Sequence, residues 1–161
     1  MNKNVTRLAF YGLFMALVVI VTAVIRVPVP TFNLYFNLGE AIIYLTAILY
    51  GGPAGAIIGG VGSSLADLLV GAPVWAPITL IIKGLEGYVV GSVAKKGNLM
   101  LAVLLGAIVM ITGYAIAAGI LYGIAAVPVE LAGDSVQVLA GGIIALFLYN
   151  RLKKFLTDDN D

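Results

Sequence analysis

The residues able to do chemistry in this chain are few and unusually placed. Lys83 and Glu86 stand three residues apart in Ile78–Gly91, "ITLIIKGLEGYVVG", beside Gly84 and Gly87 and among apolar side chains. On a helix that spacing brings both charges to one face. A charge at mid-bilayer depth costs about 3 kcal/mol on insertion scales, so such groups pair with one another or line a polar path or site. Two readings stay open from the residues alone: an ion bridge that only packs helices, or polar groups of an internal cavity. The glycines suit either, since they let a helix or a ligand come close to the backbone.

The remaining polar groups are sparse. Glu40 and Asp67 lie near the ends of apolar runs, at headgroup depth. Asp67 precedes "GAPVW", whose backbone N–H groups it is expected to cap. Trp75, the single tryptophan, suits either an interfacial belt or stacking on a ligand. Tyr114 and Tyr122, eight apart, share a helix face, and Gln137 opens the last apolar run. With no Cys and no His, thiol, imidazole and zinc chemistry are excluded. "GGVGSS" (Gly59–Ser64) lacks the lysine of a phosphate loop, so any ATP hydrolysis belongs to another chain. Two other readings are weighed against a binding protein. One is an intramembrane enzyme using Ser63 or Ser64 with Lys83, or Asp67 with Glu86. The other is a stand-alone carrier whose embedded ions relay protons.

The elements that must position these groups are membrane helices. Of 161 residues, 61% are hydrophobic and 11% charged, with a net charge of +1. A soluble domain of this size buries only about 70% of its surface, so lipid is the natural solvent and no nucleic-acid partner is implied. Six spans are predicted, at approximately 5–25, 38–50, 54–70, 78–94, 99–126 and 136–148, in a single domain without internal repeats. The first is a retained helix rather than a cleaved signal. The second rises only about 20 Å and needs tilt, extension or shelter from its neighbours. Arg26–Phe36, "RVPVPTFNLYF", is expected to be a rigid non-helical loop because its prolines fix the backbone. "GAPVWAP" and "VPVELAGDS" (Val127–Ser135) are read as further connections. Lys3, Arg7, Lys95, Lys96, Arg151, Lys153 and Lys154 fall on one side and Arg26 on the other, which puts both termini in the cytoplasm.

Phe36–Gly91, "FNLGEAIIYLTAILYGGPAGAIIGGVGSSLADLLVGAPVWAPITLIIKGLEGYVVG", together with Gln137–Lys154, "QVLAGGIIALFLYNRLKK", resembles the substrate-binding S components of energy-coupling-factor (ECF) vitamin transporters, in the riboflavin-type branch. The resemblance implies an all-α integral membrane protein of six helices in the cell membrane of a prokaryote. It implies a vitamin pocket opening outward and partners consisting of a transmembrane T subunit and two ATPase subunits. No cofactor is implied, since the vitamin is the transported ligand. The family docks its T subunit through a small-residue face of the first helix, which here reads Gly12 and Ala16. Its first outer loop closes over the ligand, which gives Phe32, Asn33, Tyr35 and Phe36 a lid role. Trp75, Thr79, Tyr114, Tyr122 and Gln137 join Lys83 and Glu86 as expected ligand contacts. Riboflavin, a pyridoxine-like compound, a thiamine pyrimidine precursor and pantothenate all stay open, the last with Lys83 as its contact.

Overall fold

Helix ends fall where glycine or proline requires them. Gly51 (φ 88°) closes the second helix and Gly123 (φ 86°) the fifth, a left-handed backbone that glycine adopts without strain. The computed structural model describes residues 3–29 and 34–158. In chain order these form α1 (Lys3–Val24), β1 (Arg26–Val29), β2 (Leu34–Asn37), α2 (Gly39–Tyr50), α3 (Gly52–Leu69), α4 (Ala76–Ala94), α5 (Leu99–Tyr122) and α6 (Val127–Asp158). Six helices agree with the six predicted. Four of them, α1, α4, α5 and α6, are long and apolar enough to cross a membrane by length and composition.

The segment expected to be a rigid non-helical loop is non-helical and carries two short antiparallel strands, with Arg26 opposite Asn37 and Val29 opposite Leu34. Pro28 is tolerated because an isolated two-stranded ribbon leaves its N–H side unpaired. The short α2 is sheltered by its neighbours: Ala41, Ile43, Tyr44, Leu45, Thr46, Ala47 and Ile48 are all buried. The largest departure is α6. Residues 127–135 are helical, not a connection, and the helix runs 32 residues to Asp158. Pro128 sits in its first turn, where a missing N–H costs nothing. The expected 99–126 span instead ends at Tyr122, after which Ile124–Ala126 make one 3-10 turn into α6.

Helices α3 and α4 pack together most extensively, along a seam of glycines. A methyl group on Gly60 would lie 2.8 Å from the Leu80 carbonyl oxygen, and one on Gly59 2.9 Å from that of Lys83. Gly55 and Gly87 face each other so closely that a Cβ on either would strike the other's main chain. Small residues let backbones meet in this way, and dispersion contacts then replace the hydrophobic drive that lipid does not provide.

Two apolar clusters flank a polar layer. One gathers Val18, Ile43, Tyr44, Ile58, Val90 and Ala145; the other gathers Leu34, Trp75, Ile82, Met110, Tyr114 and Val138. Tyr50 packs on Phe10 and Phe14, and Tyr149 joins Tyr11 and Phe14 around the first cluster. The start of α1, the α2–α3 turn and the end of α6 therefore share one end of the bundle, the end rich in lysine and arginine. The hairpin, the α3–α4 loop and the α5–α6 turn occupy the other. Large apolar side chains such as Leu8, Ile81, Met100 and Ile120 cover the outside. In water such a surface would aggregate; in a bilayer it is the solvated face.

Candidate functional site

Between the two clusters lies a charged core built by three helices. Lys83 on α4 places its Nζ 2.5 Å from both oxygens of Glu40 on α2 and 3.1 Å from Glu86 Oε2. The two Glu40 oxygens accept its hydrogen bonds, whereas Glu86 Oε2, which has no hydrogen-bond partner among the described residues, is held by charge alone. Glu86 Oε1 accepts a hydrogen bond from Tyr44 at 2.8 Å. Gln137 Nε2 donates to Glu40 Oε2 at 3.1 Å, while its Oε1 accepts from the Asn37 amide at 2.7 Å. All of Glu40, Lys83 and Glu86 are buried. The two readings of the Lys83–Glu86 pair resolve into a third: an interhelical bridge whose main anchor is Glu40, with a cavity immediately above it. Glu40 is thus buried in the core of the bundle. The reach from α2 to α4 spans 43 residues and left no local signal in the sequence.

Above this core is a chamber of about 40 Å³, lined among others by Thr22, Ser63, Asp67, Thr79, Met110, Glu130 and Asp134. Of the residues expected to meet a ligand, Tyr35, Trp75, Thr79, Lys83, Tyr114 and Gln137 line it as well. Tyr114 donates to Thr79 Oγ1 at 3.0 Å, its ring lies 5.4 Å from Lys83 Nζ, and it meets Trp75 at 5.7 Å between ring centroids. Toward the hairpin end a wider vestibule of about 540 Å³ opens, lined by Arg26, Pro28, Pro73, Val74 and Tyr122. Leu34, Tyr35 and Trp75 border both spaces and form the partition between them. Two hydrogen bonds brace that partition. Tyr35 donates to Asp67 Oδ1, and Trp75 Nε1 donates to the Tyr122 hydroxyl at 3.1 Å. Burial and the Asp67 carboxylate push the Tyr35 phenol far above its ordinary pKa, so it stays a donor at any physiological pH.

Several expectations change. Phe36 does not face the chamber; alternation along β2 turns Tyr35 and Asn37 inward and Phe36 outward, where its ring lies over Gly133. Glu86 lies beneath the chamber, not on its wall. Tyr122 belongs to the vestibule, joined to the partition through Trp75. Asp67 caps the following loop with its main-chain oxygen, to the Ala72 amide at 2.8 Å, while its side chain serves Tyr35. Phe32 and Asn33 lie outside the described residues. Gly12 and Ala16 lie far from the chamber on the exposed face of α1, and nothing lies within 4 Å of a Cβ built on Gly12.

Glu130 and Asp134 are the residues that sequence reading missed. They seemed to belong to a connection, yet Glu130, Asp134 and Gln137 follow the i, i+4, i+7 spacing of one helix face. That spacing, with Pro128 just before it, was the available signal. Each has a buried carboxylate oxygen without a hydrogen-bond partner among the described residues, as do Asp67 (Oδ2) and Glu86 (Oε2).

The arrangement offers recognition rather than catalysis. Held as an ion between Glu40 and Glu86, Lys83 offers no free amine to activate Ser63. Comparison with known proteins agrees. Residues 2–154 match the family model described as ECF-type riboflavin transporter, S component. An uncharacterized Pyrococcus woesei protein is 43% identical over 141 residues, covering 85% of this chain and 95% of its own. The thiamine precursor transporter HmpT of Lactococcus lactis is 32% identical over 148 residues, 91% of this chain and 87% of that one. The solved S component of a bacterial ECF transporter shares the fold, with a TM-score of 0.77 at 19% identity over 96% of this chain and 99% of that one. A six-helix bundle with a polar chamber at one end and lipid-facing walls is thus the architecture of a transporter subunit, and the chain belongs to the S-component family of ECF-type vitamin transporters.

Proposed function

We propose that this protein captures a vitamin or vitamin precursor in the chamber beneath Tyr35 and Trp75 and delivers it to an energising module of one T subunit and two ATPase subunits. The observation that carries the reading is the partition itself. A buried polar chamber is separated from an open vestibule by two aromatic side chains and Leu34, each on or beside the hairpin or the α3–α4 loop. Drug-sized ligands occupy pockets of about 300 Å³ or more, so a chamber of about 40 Å³ admits a ring compound only when the partition moves. The hairpin, an isolated two-stranded ribbon, is the element least anchored by packing and so the one to swing. Tyr35 and Trp75 are then the gate, and Thr79, Tyr114 and Gln137 are contacts on the inner wall. Lys83 and Glu86 hold the floor in shape.

Coupling uses the opposite side of the molecule. Along α1, Gly12 and Ala16 lie on an exposed face that no other described helix covers. Small residues on a lipid-exposed face invite a partner helix, and the T subunit is the partner this family requires. The Lactococcus relative's role favours a thiamine precursor as cargo over the other vitamins. Lys83, ion-paired with two carboxylates, disfavours pantothenate, which would need a free cation. The test is uptake. Cells or proteoliposomes holding this chain with T and ATPase subunits accumulate labelled thiamine precursor in an ATP-dependent manner. Accumulation by this chain alone, driven by a proton gradient, would instead make it a self-sufficient carrier.

A further inference from the structure

β2 is joined to α6 more closely than to α3. Phe36, the residue of β2 that does not line the chamber, lays its ring on Gly133, where any Cβ would overlap it. One turn further along α6, Gln137 Oε1 accepts the Asn37 amide at 2.7 Å. Residues 133 and 137 share a helix face, so a ring seated on glycine and a hydrogen bond dock the strand at two points. To α3 the strands are held, among the described residues, by two polar links: Tyr35 to Asp67 Oδ1, and Arg26 Nη1 to the Val70 carbonyl at 3.5 Å. The outer half of α6 shows the same preference. The helix packs on α2, α5 and β2, and among the described residues no hydrogen bond or ion pair joins residues 127–140 to α3 or α4. Both elements are anchored at one place, the first turn of α2. Asn37 Oδ1 accepts the Gly39 amide at 2.8 Å, and Thr22 of α1 donates to the same oxygen at 3.3 Å. Gln137 Nε2 donates to Glu40 at 3.1 Å, and a Cβ on Gly141 would overlap the Glu40 side chain and lie 3.1 Å from the Ala41 nitrogen. Gly142 follows, and a glycine pair is where a helix bends with least resistance.

We infer that β1, β2 and residues 127–140 of α6 move as one unit, coupled by the seat of Phe36 on Gly133, pivoting on the first turn of α2 and latched to α3 through Tyr35. The inference rests on the gated-chamber reading above and deepens it: Phe36 and Gly133 are positioning residues, set outside the chamber, that act through the strand and the helix they join. Strands swinging alone would lift Phe36 off Gly133 and strip Gln137, only 5% exposed, of the amide its oxygen accepts; a buried acceptor left unpaired is costly. Strands swinging with α6 keep both contacts and break only the Tyr35 and Arg26 links. The size of the chamber points the same way. Lifting the strands alone opens its mouth, but a space of about 40 Å³ takes a ring compound only if one of its sides withdraws. Tilting the outer half of α6 carries Glu130 and Asp134 away from Asp67 and Thr79 and widens the space along its depth.

The sequence has no cysteine, so introduced ones take a spin label cleanly. Val27 on β1, Leu131 on α6 and Leu69 on α3 are exposed and are labelled two at a time in the full chain, in lipid nanodiscs without ligand. Leu131 lies about 15 Å along the helix from Gly141, so a tilt of about 20° moves it by about 5 Å. Double electron–electron resonance reads the three distances before and after Tyr35→Phe removes the latch. The Val27–Leu69 and Leu131–Leu69 distances are expected to lengthen or broaden together by about 5 Å, while Val27–Leu131 stays as in the parent. Adding Phe36→Ala is expected to broaden Val27–Leu131 as well, and Phe36→Leu, which still fills the seat, to keep it narrow. A Val27–Leu131 distance that broadens on unlatching alone overturns the inference, and so does a Leu131–Leu69 distance that stays fixed. Phe36→Ala without effect on Val27–Leu131 removes Phe36 as the coupling residue. These distances need no ligand, so they judge the coupled motion whether or not uptake of a thiamine precursor is found.

Discussion

Replacing Lys83 with methionine tests whether the charged core holds the bundle together. The side chain keeps its length and loses its charge, leaving Glu40 and Glu86 buried around an apolar tip. In the unmodified protein the ammonium lies 2.5 Å from Glu40 and 3.1 Å from Glu86. At an effective dielectric of about 20, those distances give about 7 and about 5 kcal/mol of gross attraction. Desolvation of the three ions offsets most of it, which is why buried bridges often contribute little net stability. Removing one partner is different, since it strands buried charge at a cost of about 3–5 kcal/mol. At about 2–4 °C per kcal/mol for a chain of this size, Lys83→Met is expected to lower the melting temperature by about 6–20 °C. Trp75 fluorescence during heating in detergent, with size-exclusion chromatography as a check on aggregation, reads the change. Adding Glu40→Gln and Glu86→Gln to Lys83→Met removes the stranded charges and is expected to recover most of the loss. A single variant melting within about 2 °C of the parent refutes the reasoning, and a triple variant no better than the single assigns the effect to packing.

Three further outcomes follow from geometry already described. Gly12→Leu is expected to leave the melting temperature unchanged, because the site is open, and to abolish co-purification with the T subunit; normal assembly removes α1 as the docking face. Gly87→Val should cost at least about 3 kcal/mol or prevent folding, because its side chain meets the Gly55 main chain, which cannot yield; thermal unfolding in detergent reads the loss, and a parent-like melt argues against the seam. Tyr35→Phe leaves Asp67 Oδ1 without its donor and unlatches the partition, so bound ligand should leave about tenfold faster, the equivalent of 1–2 kcal/mol. Surface plasmon resonance on immobilised nanodiscs measures that rate, and an unchanged rate places the gate elsewhere.

Sequence reading reached the helices well and the site only in part. Six apolar runs announce themselves by length and hydropathy, and Lys83 is conspicuous because nothing near it in sequence is charged except Glu86. Its principal partner is not, since Glu40 reaches it through packing of α2 against α4, and such contacts have no period to detect. Glu130 and Asp134 misled for the opposite reason. A stretch carrying proline, glycine and two acids looks like a loop. Here Pro128 starts a helix, Gly133 makes room for the Phe36 ring, and the acids point inward. The hairpin was recognised as non-helical, but its pairing depends on register between strands that proline content alone does not fix.

The glycine seam between α3 and α4 limits how this protein can move. Where two main chains touch, no side chains remain to change rotamer, so relative motion would have to break the contact outright. Asp67 on α3 and Thr79 and Lys83 on α4 therefore travel as one rigid wall. Whatever opens the chamber does so by displacing the hairpin and α6 against that wall, as a door moves against its frame. Disulfide cross-links that join α3 to α4 outside the glycine contacts should be silent in transport, whereas links from β2 to α3 should arrest it.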